Sequence, residues 1–167
     1  MTKTEENLKA AFAGESQANR RYLAFAKKAE EEGFKQVAKL FRAAAEAETI
    51  HALNHLRALG AVKTTTENLK EAIKGETHEF KNMYPEMIKV AEEENNQTAK
   101  ISFSGANEVE KIHANLYENA LSSVESGKDL EGKEIFVCQV CGNTVEGEAP
   151  DKCPICGVGK DMFNKIE

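Results

Sequence analysis

The stretch Glu48-Thr49-Ile50-His51 decides the fold of this chain, because it recurs further along as Glu110-Lys111-Ile112-His113. Residues three apart lie on nearly the same side of an α-helix, so each copy presents one carboxylate and one imidazole to a common centre. In both copies, the glutamate and the histidine occupy positions at which the helical pattern otherwise places apolar residues. An ionised carboxylate in an apolar interior is costly unless it is paired or binds a metal, so the two copies predict a metal site.

Three further glutamates lie on apolar helix sides. Glu15 falls in the period of the first helical segment, and Glu76 and Glu79 fall in that of the third. An internal repeat relates the two halves of the helical region and pairs Glu15 with Glu76, whereas the position matching Glu79 is Ala18. The sequence therefore predicts a two-metal site with one unpaired carboxylate, and its ligands are Glu15, Glu48, His51, Glu76, Glu79, Glu110 and His113.

Four amphipathic segments with short polar connections predict a mainly α chain that forms a four-helix bundle. Gly33 and Gly60 are stop signals, and apolar positions such as Phe25, Val37 and Leu40 are expected in the core. Beyond the fourth segment the period is lost and Gly and Ser become frequent, which is typical of a linker. We expect the bundle to span residues 1–127 and a small β/loop module to span 128–167.

All four cysteines lie in the C-terminal module, as two Cys-x-x-Cys pairs. This spacing is typical of a tetrathiolate metal site, and a module of this size needs a metal to fold. Spacing alone favours zinc over iron, but a one-electron carrier has a use beside a redox-active metal pair. We therefore predict a single iron bound by Cys138, Cys141, Cys153 and Cys156.

Composition excludes several other classes of protein. The formal charge is −6 and lysine and arginine are not clustered, which argues against nucleic acid or an anionic membrane surface as the partner. No apolar run is long enough to cross a membrane, and the N-terminal residues lack the apolar stretch of a signal peptide. The expected location is the cytoplasm.

The repeat also predicts an irregular turn. Tyr22 follows Glu15 by seven residues, but Tyr84 follows Glu76 by eight. For both tyrosines to point towards the metal pair, the third helix must absorb one extra residue, and a π-type turn does so. We expect this turn between about Phe80 and Pro85 and not in the matching part of the first helix. Core packing and donation of the hydroxyl to a ligand carboxylate are both open roles for the two tyrosines.

Charge balance favours iron for the metal pair. Two ferrous ions, or two ferric ions with an oxo bridge, carry the same total charge and nearly neutralise five carboxylates. Neutral imidazole suits the ferrous state and a carboxylate suits the ferric state, so one iron could exchange His51 for Glu79. His55 and His78 break the repeat symmetry or leave the apolar side, and we exclude both from the site.

With these motifs the chain resembles the rubrerythrin family over essentially its whole length: a ferritin-like di-iron bundle followed by a rubredoxin-like domain. Both Glu-x-x-His pairs, Gly14-Glu15-Ser16, Gly75-Glu76-Thr77 and both cysteine pairs match the family motifs. The resemblance implies a peroxidase that reduces hydrogen peroxide under oxidative stress and exchanges His51 for Glu79. It also implies a homodimer in which the tetrathiolate iron of one subunit serves the di-iron site of the other, with rubredoxin or an NAD(P)H-dependent reductase as electron donor.

Two other functions stay open from the residues alone. A ferroxidase, iron-handling or oxygen-reducing ferritin-like protein would use the same bundle but needs neither Glu79 nor an attached carrier. A zinc-scaffolded binding protein would lack redox chemistry.

Overall fold

Two of the helices begin with the same hydrogen-bonded cap. In the computed structural model, which describes residues 1–167, the hydroxyls of Thr2 and Thr64 accept bonds from the N–H groups of Glu5 and Glu67, whose carboxylates bond back to the threonine N–H groups. Such a capping box satisfies N–H groups that a helix start leaves free. The helices are α1 (Lys3–Glu31), α2 (Lys35–Ala58), α3 (Thr65–His78), α4 (Tyr84–Glu93) and α5 (Gln97–Glu125).

The chain divides into two compact units, Met1–Lys63 and Thr64–Glu167. The first unit is a helical hairpin of α1 and α2. A short connection turns the chain back after α1, and the turn needs the positive φ of +85° that Gly33 adopts. The seam between the two helices is built from alanine, with Ala38, Ala45 and Ala52 buried at every seventh position of α2.

A buried amide also joins the two helices of this hairpin. The Nδ2 atom of Asn19 on α1 donates to the carbonyl of Ala45 at 2.7 Å and to the hydroxyl of Thr49 at 2.8 Å. A buried polar group is costly unless it is hydrogen-bonded. These two bonds therefore fix the position of α1 along the axis of α2.

The second unit begins with the other half of the repeat. A π-helical turn, Glu79–Met83, joins α3 to α4, and both pack against α5. The matching stretch of α1 is α-helical throughout. The expected π-type turn is therefore confirmed. It places the ring of Tyr84 in a position equivalent to that of Tyr22. Tyr22 lies 6.2 Å from Phe41 between ring centroids, and Tyr84 lies 6.3 Å from Phe103, the repeat partner of Phe41.

The rest of the second unit is a three-stranded antiparallel sheet with strand order β2-β1-β3. Its strands are β1 (Ile135–Cys138), β2 (Thr144–Glu146) and β3 (Phe163–Ile166), and a 3-10 turn, Lys160–Met162, precedes β3. The only buried hydrophobic residues of its core are Cys138, Ala149, Cys153 and Phe163. A core this small supports the expectation that the cysteines hold a metal.

Part of the predicted core is wrong at the level of single side chains. Phe25, Val37 and Leu40 keep 46%, 45% and 69% of their surface exposed, because the seam of the first hairpin consists of alanines and these larger residues lie beside it. None of the helices is long and apolar enough to cross a membrane. The domain boundary between residues 127 and 128 stays a prediction.

Candidate metal centres

The first hairpin brings three predicted ligands together near its middle. One ligand atom from each of Glu15, Glu48 and His51 lies within 4.8 Å of the others. The Nδ1 atom of His51 is 2.9 Å from the carboxylate of Glu48, as their spacing of three residues requires. The side chain of Glu48 is mostly buried, while 54% of the His51 side chain is exposed.

The second unit holds the matching set. Ligand atoms of Glu76, Glu110 and His113 also lie within 4.8 Å of one another. Here the Nδ1 atom of His113 is 2.7 Å from the Glu110 carboxylate and 3.9 Å from that of Glu76. All three side chains are more than 70% buried. Two oxygens and one nitrogen per set suit a borderline cation such as ferrous iron.

Negative charge accumulates in the second set. Burial, the charge of Glu110, a hydrogen bond to Glu110 and the charge of Glu79 together raise the pKa of Glu76 to about 7. Burial and the charge of Glu110 also raise the pKa of Glu79. Glu79 therefore lies close enough to act electrostatically on this set. These carboxylates need a cation to be ionised together, so the residues fit a metal ion.

The two tyrosines differ in their surroundings. Burial and the charges of Glu79, Glu110 and Glu76 raise the pKa of Tyr84, which places its hydroxyl near the carboxylates. Tyr22 contacts Phe25 and Phe41. Neither hydroxyl makes a hydrogen bond to a ligand in this structure, so a role in orienting ligands stays a prediction for both.

A hydrogen-bonded chain links His113 to the C-terminal sheet. With Nδ1 directed at the ligand set, the ring donates from Nε2 to the hydroxyl of Thr144 at 2.9 Å. That hydroxyl donates in turn to the carbonyl of Gly142 at 3.1 Å, directly after Cys141. A metal-bound histidine usually donates its other N–H in this way, which fixes its tautomer and ring orientation. His51 makes no such bond.

The four cysteines converge as predicted. The sulfurs of Cys138 and Cys156 are 3.6 Å apart, as are those of Cys141 and Cys153. This separation is far longer than a disulfide bond and close to the ~3.8 Å edge of a tetrahedron with metal–sulfur bonds of ~2.3 Å. The sulfurs therefore fit a single tetrahedral metal ion.

The two cysteine pairs share one turn geometry. The N–H of Gly142 bonds to the carbonyl of Cys138, and the N–H of Gly157 bonds to that of Cys153, both at 2.9 Å. Both glycines have positive φ, +82° and +80°. Burial raises the pKa of Cys153, but the N–H groups of Cys156 and Ile155 outweigh it and lower the value to about 6. These N–H groups stabilise a thiolate.

Sequence reasoning missed two residues at these centres. Thr144 reaches His113 from 31 positions away in the chain. The fully buried Asn143 directs its Nδ2 atom at the Cys153 sulfur, 3.8 Å away. The one available signal was their position, two and three residues after Cys141.

Comparison with known proteins agrees with both centres. The family model Rubrerythrin matches residues 6–121, and the model of the rubrerythrin rubredoxin-like domain matches residues 136–164. Rubrerythrin-2 of Clostridium acetobutylicum is 40% identical over 96% of this chain and 95% of its own length. Nigerythrin of Nitratidesulfovibrio vulgaris is also 40% identical, over 96% of this chain and 85% of its own length.

Solved structures give the same result. The chain is similar to nigerythrin in its fully reduced, all-ferrous state, with a TM-score of 0.59, 35% identity and coverage of 99% of this chain and 88% of that one. The mainly α fold, the ferritin-like helices and the rubredoxin-like module therefore agree with the sequence prediction. The two sets of carboxylates and histidine are its candidate di-iron ligands, and the four cysteines form its rubredoxin-type cluster. On this evidence the chain is an iron-dependent oxidoreductase that belongs to the rubrerythrin family.

Proposed function

We propose that this chain is a non-haem di-iron peroxidase that reduces hydrogen peroxide to water in the defence of the cytoplasm against oxidative stress. The proposal rests on the position of Glu79. It begins the π-helical turn and acts on Glu76, whereas the matching position in the first hairpin is the buried Ala18. A ferroxidase needs only the six ligands that the two halves share, so the seventh favours a site that exchanges ligands.

A bound iron pair supplies the electrons that reduce peroxide. The protein's residues supply alternative ligands. His51 offers a neutral imidazole, and its exposed side chain has room to move away from the metal. Glu79 offers a carboxylate, which binds the ferric state more strongly. Exchange between the two keeps the charge of the site matched to the oxidation state of the iron.

The four cysteines would hold an iron ion that carries one electron at a time back to the helical site. The bonds from His113 through Thr144 to the Gly142 carbonyl form a continuous path that ends beside Cys141. The exposed Cys156 lines a surface groove together with Val140 and with Cys141 itself. A rubredoxin or an NAD(P)H-dependent reductase would deliver electrons here. We further propose that the protein acts as a homodimer, as the family resemblance implies.

The test is the variant Glu79→Ala. Six ligands remain, so we expect it to retain two irons in the helical site but to lose most of its peroxide turnover, measured by stopped-flow reduction of hydrogen peroxide. Glu93→Ala is the matched control, because it removes an exposed carboxylate of α4 that pairs with Lys89. Full turnover by Glu79→Ala would contradict ligand exchange. Faster turnover of the wild type with oxygen than with peroxide would indicate a ferroxidase or oxygen reductase instead.

A further inference from the structure

The turns that carry the two cysteine pairs are built alike, but one position differs between them. The residue two places after the second cysteine of each pair is Asn143 in the first turn and Val158 in the second. The carbonyl of Asn143 accepts a hydrogen bond from the N–H of Cys138 at 2.9 Å. The carbonyl of Val158 accepts the matching bond from the N–H of Cys153 at 2.8 Å. The two residues therefore close their turns in the same way.

The N–H groups of these two residues also match. That of Asn143 bonds to the sulfur of Cys141, and that of Val158 bonds to the sulfur of Cys156. An apolar residue thus provides every backbone bond that the turn needs at this position. The fold of the turn does not require the amide side chain of Asn143, so the contacts of that side chain need another explanation.

The side-chain amide of Asn143 is buried against a single polar neighbour. The residue is 1% exposed, and its Nδ2 atom lies 3.8 Å from the sulfur of Cys153, which is 2% exposed. No donor of the protein reaches its Oδ1 atom. A buried carbonyl without a hydrogen bond is costly, and a valine at this position would avoid that cost. The contact with the sulfur is therefore the interaction that compensates for burying the amide.

The sulfur also decides which end of the amide faces it. The oxygen and nitrogen of an amide have nearly the same shape, so their hydrogen-bonding surroundings distinguish them. A thiolate is negatively charged and accepts hydrogen bonds, so it repels Oδ1 and attracts the N–H group. A hydrogen bond to a charged acceptor is stronger than one between neutral groups, and burial strengthens it further. Asn143 therefore directs a donor at the sulfur of Cys153.

Such a donor changes how easily an iron ion held by the cysteines is reduced. Four thiolates and a ferric ion together carry one negative charge, and the same thiolates with a ferrous ion carry two. The ferric ion takes up one electron, and no proton or ligand is exchanged. Because the sulfurs hold more negative charge after the electron arrives, an N–H group directed at them stabilises the reduced state more than the oxidised state. Hydrogen bonds to the sulfurs are among the factors that set the potentials of iron–thiolate centres.

We propose that Asn143 raises the reduction potential of the tetrathiolate iron through its N–H···S bond to Cys153. Asn143 is not a ligand, and it acts on the metal through one of the four ligands as a positioning residue for electron transfer. With a given supply of reductant, a higher potential leaves a larger fraction of the carrier holding its electron. This inference rests on iron at the four cysteines and not on the proposed reaction with peroxide.

The reduction potentials of two full-length variants test the proposal. Asn143→Val installs the residue that the second turn has at this position, so the backbone bonds stay and the side-chain donor is lost. Asn164→Val is the matched control, because it makes the same exchange at an exposed position of β3 in the same module. The potential is measured by redox titration of the iron-loaded protein, followed by the visible absorption of ferric tetrathiolate iron.

We expect Asn143→Val to lower the equilibrium constant for reduction by about tenfold, which is about 59 mV for one electron. Asn164→Val should have the potential of the wild type. A wild-type potential in Asn143→Val would overturn the proposal and assign Asn143 a packing role. Peroxide takes no part in this titration, so a failure of the proposed peroxidase activity would leave the measured potentials unchanged.

A second measurement decides the matter if Asn143→Val does not bind iron. The wild-type protein is loaded with zinc, which is diamagnetic, and its side-chain amide protons are observed by nuclear magnetic resonance. We expect an amide proton of Asn143 to resonate downfield of those of the exposed Asn164, because it is bonded to a thiolate. Equal chemical shifts would show that this bond is absent and would contradict the proposal.

Discussion

The two helical hairpins descend from one sequence but differ in how firmly they hold their ligands. In the first, His51 is half exposed and its ring is bonded only to Glu48. In the second, His113 is bonded on both sides, to Glu110 and to Thr144. The second hairpin has also gained Glu79 and a π-helical turn. The second hairpin therefore holds its histidine by more bonds than the first does.

Replacing the histidine of each hairpin should give the largest difference in metal affinity between the two hairpins. We expect His113→Ala to weaken metal binding by more than about 100-fold, beyond the range typical for loss of a hydrogen-bond partner of a ligand, because no other ligand can replace it. Under the proposed ligand exchange, His51→Ala should retain most of its affinity, because Glu79 would take the vacant position. Competition with a chelator measures both values. Equal losses would show that the halves do not differ in this way.

A smaller effect is expected at the bond that fixes His113. Thr144→Val keeps the shape of the side chain but removes the hydroxyl, so we expect metal affinity to fall by roughly 10-fold to 100-fold. Re-reduction of the helical site through the cysteine centre should slow as well, which stopped-flow absorbance can follow. The exposed Thr98→Val is the control, because Thr98 contacts neither centre. Rates and affinity equal to the wild type would assign Thr144 a packing role only.

The smallest effect concerns pH in the metal-free protein. Burial and the neighbouring Glu110 and Glu79 raise the pKa of Glu76 from 4.5 to about 7. Because the folded pKa is raised, its contribution to stability is complete below about pH 4.5 and is lost as the pH rises through about 7. The metal-free protein should therefore melt at a lower temperature at pH 8 than at pH 6, and Glu76→Gln should reduce this difference. If Glu76→Gln kept the full difference, another group would be responsible.

Much of this site follows from local sequence rules. The ligands are visible because carboxylates and histidines replace apolar residues in a helical period, and the π-helical turn is visible because the repeat gains one residue between Glu76 and Tyr84. The cysteine cluster follows from spacing alone. These features depend on residues that are close in the chain or related by the repeat.

The missed features depend on long-range packing. The bond from Thr144 to His113 requires the sheet to lie against α5, and no periodicity encodes that contact. The exposure of Val37 and Leu40 was also missed, because a helical period shows which side of a helix is apolar but not which residues of that side become buried.

The alanine seam of the first hairpin has a consequence for which cation this protein accepts. The distance between two packed helices depends on the side chains at their contact, and Ala38, Ala45 and Ala52 keep that distance short. The gap between Glu15 on α1 and Glu48 on α2 is then set by methyl groups several residues away. An enlarged seam residue, as in Ala45→Val, would widen the gap and shift preference towards ions of larger radius, although every ligand is still present. We therefore expect the volume of residues that never touch the ion to influence which ion size the site prefers.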